Sequence, residues 1–198
     1  MKQKRGFTLI EMLVVVLIIG ILAAIGFSWY RRAIVRAEGM QLVALLKAIT
    51  VSYQHYVLVH STYPTRPSQL EIPMPGFTGN RCWSGYGHNT TNCASNEKWG
   101  FQMSNWGGSS GRRRGVMMGF LEGAYAGCGF YIPLYENRAL NSIYCLEIAT
   151  NSVLFTKDKG DCCMKVFHAK PVRNTTNVVV SNSSNHNFAI PFNWYLMP

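Results

Sequence analysis

Apolar residues run almost without a break over positions 7–27, and a second apolar pattern of a different kind begins after Tyr30. In the first stretch the only polar side chains are Thr8 and Glu11. It is apolar all round and long enough to cross a bilayer, which takes about 20 residues. In the second, Val35, Leu42, Leu46, Ile49, Tyr53 and Tyr56 recur at intervals of three, four or seven positions. Arg31, Arg36, Lys47, Thr50, Gln54 and His55 fall mainly elsewhere, so this half reads as an amphipathic helix. The two patterns join into one predicted helix from Phe7 to about His60, about 80 Å long at 1.5 Å per residue. A bilayer core is about 30 Å thick, so the second half is expected to leave the membrane and pack on a sheet.

The helix should stop before Tyr63-Pro64, because proline disfavours helical geometry in the residue before it. Pro64, Pro67, Pro73 and Pro75 punctuate a loop. Residues 76–115, rich in Gly, Asn, Ser and Trp, read mostly as loop and short strands. Later runs read as strands: 116–121, 129–134, 143–149, 164–168, 178–180 and 188–194. Asp158-Lys159-Gly160-Asp161 reads as a turn between two of them. Strands that follow one long helix, rather than alternating with helices, predict an α+β fold: a long N-terminal helix packed on a C-terminal antiparallel sheet. The chain has no internal repeat.

Glu11 is the informative residue. A carboxylate in hydrocarbon costs several kcal/mol or more unless something pairs with it, and is by default a functional site. The nearest positive side chains are Arg5 and Arg31, so the expected partner is another copy of the chain. A secretory signal has an apolar core of only about 7–15 residues, although Ala23-Ala24 imitates its cleavage site. A plain anchor would give no reason for Glu11.

Lys2-Gln3-Lys4-Arg5-Gly6 followed by Phe7-Thr8-Leu9-Ile10-Glu11 resembles the leader and cleavage site of type IV prepilins. The resemblance is close over residues 7–30 and architectural beyond. It implies cleavage between Gly6 and Phe7 by a prepilin peptidase, N-methylation of Phe7, and an assembly role for Glu11. It divides the chain into a leader (1–6), a transmembrane and filament-core helix (7–30), its amphipathic continuation (31–62) and a globular antiparallel β head (63–198). The implied partners are further copies or other pilins in a helical filament, the peptidase, and the inner membrane before assembly. The implied location is the inner membrane, crossed once, and then an extracellular pilus on the bacterial surface. A neighbour's Glu11 would neutralise the Phe7 ammonium and so set the register. Ser28 stands where many pilins carry proline, so the kink of the family does not carry over. Gly20 to Ser28 is then the segment expected to loosen, with Gly39 a second weak point, unless these glycines serve close helix approach.

Charge and cysteines refine the picture. Loss of Lys2, Lys4 and Arg5 with the leader lowers the formal +10 by three. Before cleavage those charges favour a cytoplasmic N-terminus, although Arg31, Arg32 and Arg36 flank the other side. All six cysteines, Cys82, Cys93, Cys128, Cys145, Cys162 and Cys163, follow the apolar run, which suggests disulfides made in an oxidising compartment. Cys82–Cys93 and Cys145–Cys162 are the expected pairs, leaving Cys128 with Cys163. Adjacent cysteines in a strand point to opposite faces, so Cys162 and Cys163 should have different partners, and which of them takes Cys145 stays open. No Cys-x-x-Cys pair or His spacing suggests zinc. No cofactor, metal or enzyme signature is expected.

Gly111-Arg112-Arg113-Arg114-Gly115 reads as a basic loop. With Trp83, Trp99 and Trp106 it is a candidate contact for DNA or another polyanion, against the plainer reading of a solvated loop beside core tryptophans. Asp158 and Asp161 are too few for a convincing calcium site. Three function classes remain: a pilus subunit, a type II secretion pseudopilin, and a minor pilin acting in DNA uptake or adhesion.

Overall fold

The computed structural model describes residues 7–72, 74, 76–83, 91–106, 113–134, 142–148, 158–172, 178–181, 187–190 and 192–198. They form two compact units, Met1–Ala37 and Glu38–Pro198, and one helix, α1 (Leu9–His60), contributes to both.

In the first unit α1 is unbroken through Gly20, Gly26 and Ser28. The Ser28 hydroxyl donates to the Ile25 carbonyl at 3.3 Å. Large apolar side chains from Phe7 to Tyr30 are all open to solvent, the least exposed being Val15 at 46%. This part holds a long apolar window, none of it buried in the fold. By length and composition it is able to cross a membrane.

The second unit is built on an antiparallel sheet. Its strands are β1 (Cys93–Ser95), β2 (Trp99–Trp106), β3 (Arg113–Phe120), β4 (Cys128–Pro133), β5 (Tyr144–Ile148), β6 (Lys170–Pro171) and β9 (Phe192–Leu196), and they lie in the order β1-β2-β3-β4-β5-β9-β6. Strands β7 (Val178–Ser181) and β8 (Asn187–Ile190) pair in a separate hairpin. The α+β expectation therefore holds. Three details differ from the sequence reading. The stretch read mostly as loop and short strands contains the eight-residue β2, whose Trp99, Phe101 and Met103 alternate with Gly100 and Gln102 in a period of two. The apolar run 188–194 is divided between β8 and β9, in different sheets. Residues 164–167 form hydrogen-bonded turns, and His168 also lies outside any strand.

One face of the sheet carries a buried cross-strand row: Phe101 opposite Met118, then Phe130, Cys145 and Tyr195. The helix from Gly39 onward covers this face, burying Leu42, Leu46 and Ile49 completely. Thr50 is also buried, its hydroxyl donating to the Leu46 carbonyl at 2.9 Å, whereas the spacing had placed it off the buried stripe. Gly39 lies against the rings of Phe167 and Phe130, which leave no room for a Cβ. Close approach, rather than helix weakness, accounts for this glycine. Ser61, at φ 53°, ends the helix in the left-handed region. The chain is then tied back by the Glu71 N–H donating to Ser52 Oγ at 3.0 Å and by Gln69 Nε2 donating to the Tyr56 hydroxyl at 3.1 Å.

The other face has a slot cut through three strands. Gly100, Gly119 and Gly129 stand directly opposite one another on β2, β3 and β4. Trp83, fully buried, lies against all three. Its ring also stacks on Phe192, with centroids 5.6 Å apart and planes at 16°. A Cβ at Gly119 would collide with the indole on one side and the Cys128 carbonyl on the other, so neither neighbour can yield cheaply. Gly119→Ala is expected to destabilise the head by about 1–3 kcal/mol through overpacking. Urea unfolding followed by tryptophan fluorescence measures this, and unchanged stability would show that the slot is not rigid.

Candidate functional site

The N-terminus of α1 is closed by two residues of the same motif. Thr8 is its cap. The Thr8 N–H and hydroxyl both donate to Glu11 Oε2, each at 2.8 Å. In return the Glu11 N–H points at Thr8 Oγ1, at 3.4 Å. This is a reciprocal capping box, in which the first free N–H groups of a helix are satisfied by side chains. A carboxylate there also faces the positive end of the helix dipole. Among the described residues Glu11 makes no ion pair. Phe7 lies just before the helix, 75% exposed, with its nitrogen still in peptide linkage. Gly6 and the rest of the leader lie outside the described residues. Reading Glu11 only as an unpaired charge missed its local partner, although the spacing Thr-x-x-Glu carries that signal.

The other sequence candidates are scattered. Arg112 lies outside the described residues. Arg113 and Arg114 open β3 opposite Trp106 and Asn105, so this part of the expected basic loop is strand, recruited by pairing with β2. Trp83 is core and offers no stacking face. Asp161 pairs with Lys165, and its N–H donates to the Asp158 carbonyl at 3.0 Å. That arrangement is a plain turn.

The head holds a second carboxylate that sequence reasoning did not single out. Glu147, on β5, is completely buried. Its Oε1 accepts the N–H of Cys162 at 3.0 Å and of Cys163 at 2.8 Å. Its Oε2 accepts the Gly160 N–H at 2.7 Å and the Tyr195 hydroxyl at 3.1 Å. A buried carboxylate is tolerated when hydrogen bonds replace its water, and here four do so. The N–H groups open two hydrogen-bonded turns, in which Met164 donates back to Gly160 and Val166 to Cys162. These turns occupy the place of the strand read at 164–168, because the amides at their start are claimed by Glu147 and not by a neighbouring strand. A lone acidic residue in an apolar strand, two positions from a cysteine on the same face, was the available signal.

The described residues hold three disulfides, Cys82–Cys93, Cys128–Cys162 and Cys145–Cys163, and the last two lie beside this feature. The last two exchange the partners expected for Cys162 and Cys163. That the two neighbours take different partners holds; which of them takes Cys145, left open by the sequence, is settled for Cys163. Glu147 sits between the two bonds, opposite Cys128 in the β4–β5 ladder and two residues from Cys145.

Comparison with known proteins returns to the N-terminus. Residues 1–27 match the family described as the prokaryotic N-terminal methylation motif. A fimbrial protein of Pseudomonas aeruginosa is 32% identical over 101 residues, which are 49% of this chain and 64% of that protein. The type IV major pilin protein PilE1 of Neisseria gonorrhoeae is 31% identical over 72 residues, 36% of this chain and 44% of that protein. The chain carries the N-terminal methylation motif and is similar to type IV pilins. Its similarity extends to the type II secretion system core protein G of Pseudomonas aeruginosa, at 37% identity over 79 residues, 40% of this chain and 56% of that protein. The chain thus spans less than two-thirds of the length of these pilin relatives. No solved structure matches. The matched motif includes Gly6, Phe7 and Glu11 and ends before the pilin head begins.

The buried cluster around Glu147 has a pH signature. Burial first, and then the charge and hydrogen bond of Glu147, push the Tyr195 hydroxyl far above the ordinary tyrosine range. Tyrosine in an unfolded chain ionises near pH 10. The raised folded value therefore contributes stability that is whole below about pH 10 and is lost as pH climbs toward it. Head stability should fall more steeply above about pH 10 in the parent than in Tyr195→Phe. Urea midpoints taken across that range compare the two, and equal slopes would contradict the assignment.

Proposed function

We propose that this chain is a structural subunit of a type IV pilus-like filament. The observation that carries the reading is Glu11: one carboxylate in an exposed apolar helix, within the matched methylation motif. In this reading a prepilin peptidase cuts between Gly6 and Phe7, and Phe7 gains a free, then methylated, ammonium that keeps its charge. Before assembly the helix through about Tyr30 rests in the inner membrane. During assembly it leaves lipid for the filament core, where Glu11 of one subunit pairs with the Phe7 ammonium of another. In apolar surroundings every other axial offset leaves two charges without partners. Breaking a buried pair costs about 3–5 kcal/mol, more than a small slip in apolar packing recovers. The remaining side chains of this segment supply non-directional cohesion. The head, braced by disulfides, suits an oxidising exterior.

A second reading is favoured by the likeness to a type II secretion core protein. There the same helix chemistry would build a short periplasmic filament. Mass spectrometry of filaments sheared from whole cells separates the two. A peptide beginning at methylated Phe7 in the sheared fraction is the expected result. The same peptide confined to the cell envelope would move the assignment to the pseudopilin reading. Glu11→Ala is expected to insert and be cleaved yet lower filament yield at least about tenfold, given the cost of an unpaired ammonium. Parental yield from a strain carrying only this variant would remove the register argument.

A further inference from the structure

Four half-cystines meet on one face of the sheet, and two of them, Cys162 and Cys163, are neighbours in sequence. The Sγ atoms of Cys128, Cys145 and Cys163 all lie within 4.8 Å of one another. Nothing in chain length selects the pairing found. The native bonds close separations of 34 and 18 residues. Exchanging Cys162 with Cys163 changes each by one residue, and closure entropy varies only with the logarithm of loop length. Burial does not select it either, since all four cysteines are fully buried. What differs between the two pairings is the orientation of the backbone at 162–163.

That orientation is set by one side chain. Both N–H groups, of Cys162 and Cys163, converge on a single oxygen of Glu147, while Gly160 is held by the other oxygen. The backbone there turns as a helix does, with Met164 bonded back to Gly160 and Val166 to Cys162, and in such a turn neighbouring side chains diverge by about 100° and not by the half-turn of a strand. Glu147 is stationed between the two targets, opposite Cys128 and on the same face as Cys145. We infer that Glu147 directs disulfide pairing: its grip on this turn sends Cys162 to Cys128 and Cys163 to Cys145, and disfavours the crossed set.

The chemistry is thiol–disulfide exchange. Oxidised glutathione takes two protein thiols to one protein disulfide and is itself reduced to two thiols. With one protein disulfide formed, a Cys163 thiolate attacking Cys128 of the Cys128–Cys162 bond makes Cys128–Cys163 and releases Cys162 as thiolate, with no net oxidation. The second oxidation then locks whichever set the turn favours. Glu147 acts through the backbone and touches no sulfur in this step, so it is a positioning residue.

The test uses the full chain in detergent, reduced and denatured, then refolded in a glutathione redox buffer. Partial reduction with differential alkylation, and tandem mass spectrometry that fragments between Cys162 and Cys163, read the connectivity. The parent is expected to return the native set. Glu147→Gln, which turns an acceptor into a donor facing N–H groups, should lower the native-to-crossed ratio about tenfold or more. Tyr195→Phe leaves all three amide bonds in place and should keep native pairing. Leu46→Ala weakens the head from the helix side and should also keep it. Native pairing in Glu147→Gln, or equal scrambling in Leu46→Ala, overturns the inference. A second comparison does not depend on how well Glu147→Gln folds. With Glu147 intact, Cys128→Ser/Cys162→Ser leaves the native Cys145–Cys163 pair, and Cys128→Ser/Cys163→Ser leaves the crossed Cys145–Cys162 pair. The native pair should oxidise at a lower ratio of oxidised to reduced glutathione, and equal oxidation of the two refutes the role assigned to Glu147.

Discussion

A carboxylate removed from water must be given its hydrogen bonds by the chain, and in this head the chain gives Glu147 four. Three of the donors come from a segment outside the sheet, and the fourth from a strand within it. The Gly160, Cys162 and Cys163 amides belong to turns with no place in the sheet ladder, and Tyr195 belongs to the last strand. One side chain on β5 thus ties the turns to the sheet at the point where two disulfides also join them. Deleting a single donor leaves a buried charge short of a partner, which costs more than the bond contributes while intact. The arrangement is therefore cooperative: its parts are stable together and costly apart.

The opposite face of the same sheet solves a different problem. Trp83 brings a large apolar ring from a loop, and a pleated strand bearing side chains would hold it off. Three glycines in one cross-strand row remove the obstruction, and Phe192 closes the far side of the ring. Glycine inside a strand costs backbone entropy and forgoes packing. That cost is offset by burying an entire indole, whose loss would cost about 3–5 kcal/mol. The Cys82–Cys93 bond holds the residue next to Trp83 to β1, so the loop delivers the ring and is then fastened there. Each face of the sheet is thus joined to a neighbouring segment by one large or charged side chain and a covalent tie.

What could be read from the sequence follows from how local each cause is. The helix was legible nearly to the residue, because its apolar run, its amphipathic continuation and its stop at Tyr63-Pro64 are all local patterns. So were the cores of β3, β4 and β5. Strand β2 was hidden because Gly100, Ser104 and Asn105 gave it the composition of a loop, although Trp99, Phe101 and Met103 kept the alternation. The turns that follow residues 158–161 were read as a strand over 164–168, since the residue that captures the amides at their start lies 13 to 16 positions earlier. The glycine row exists only once the strands are in register. The disulfide partners of Cys162 and Cys163 were undecidable for the same reason, as the two pairings differ by one residue of loop. At the N-terminus, by contrast, the methylation motif and the capping box are both contiguous, and only the second escaped notice.

The two carboxylates, one in the head and one in the apolar helix, obey one rule at different stages. Glu147 has its partners within the fold and needs nothing more. Glu11 has Thr8, whose N–H and hydroxyl both reach the same oxygen. A carboxylate can accept about four hydrogen bonds over its two oxygens, so capping the helix orients Glu11 without exhausting it. In the filament reading this matters. The cap holds the carboxylate at the helix end, close to the cleavage site, with acceptor capacity left for an ammonium from elsewhere. Apolar contacts along the exposed helix would be nearly indifferent to sliding. A carboxylate fixed in place and only partly satisfied is not, and in the filament reading that difference is what would let one residue set the register for a helix of 52.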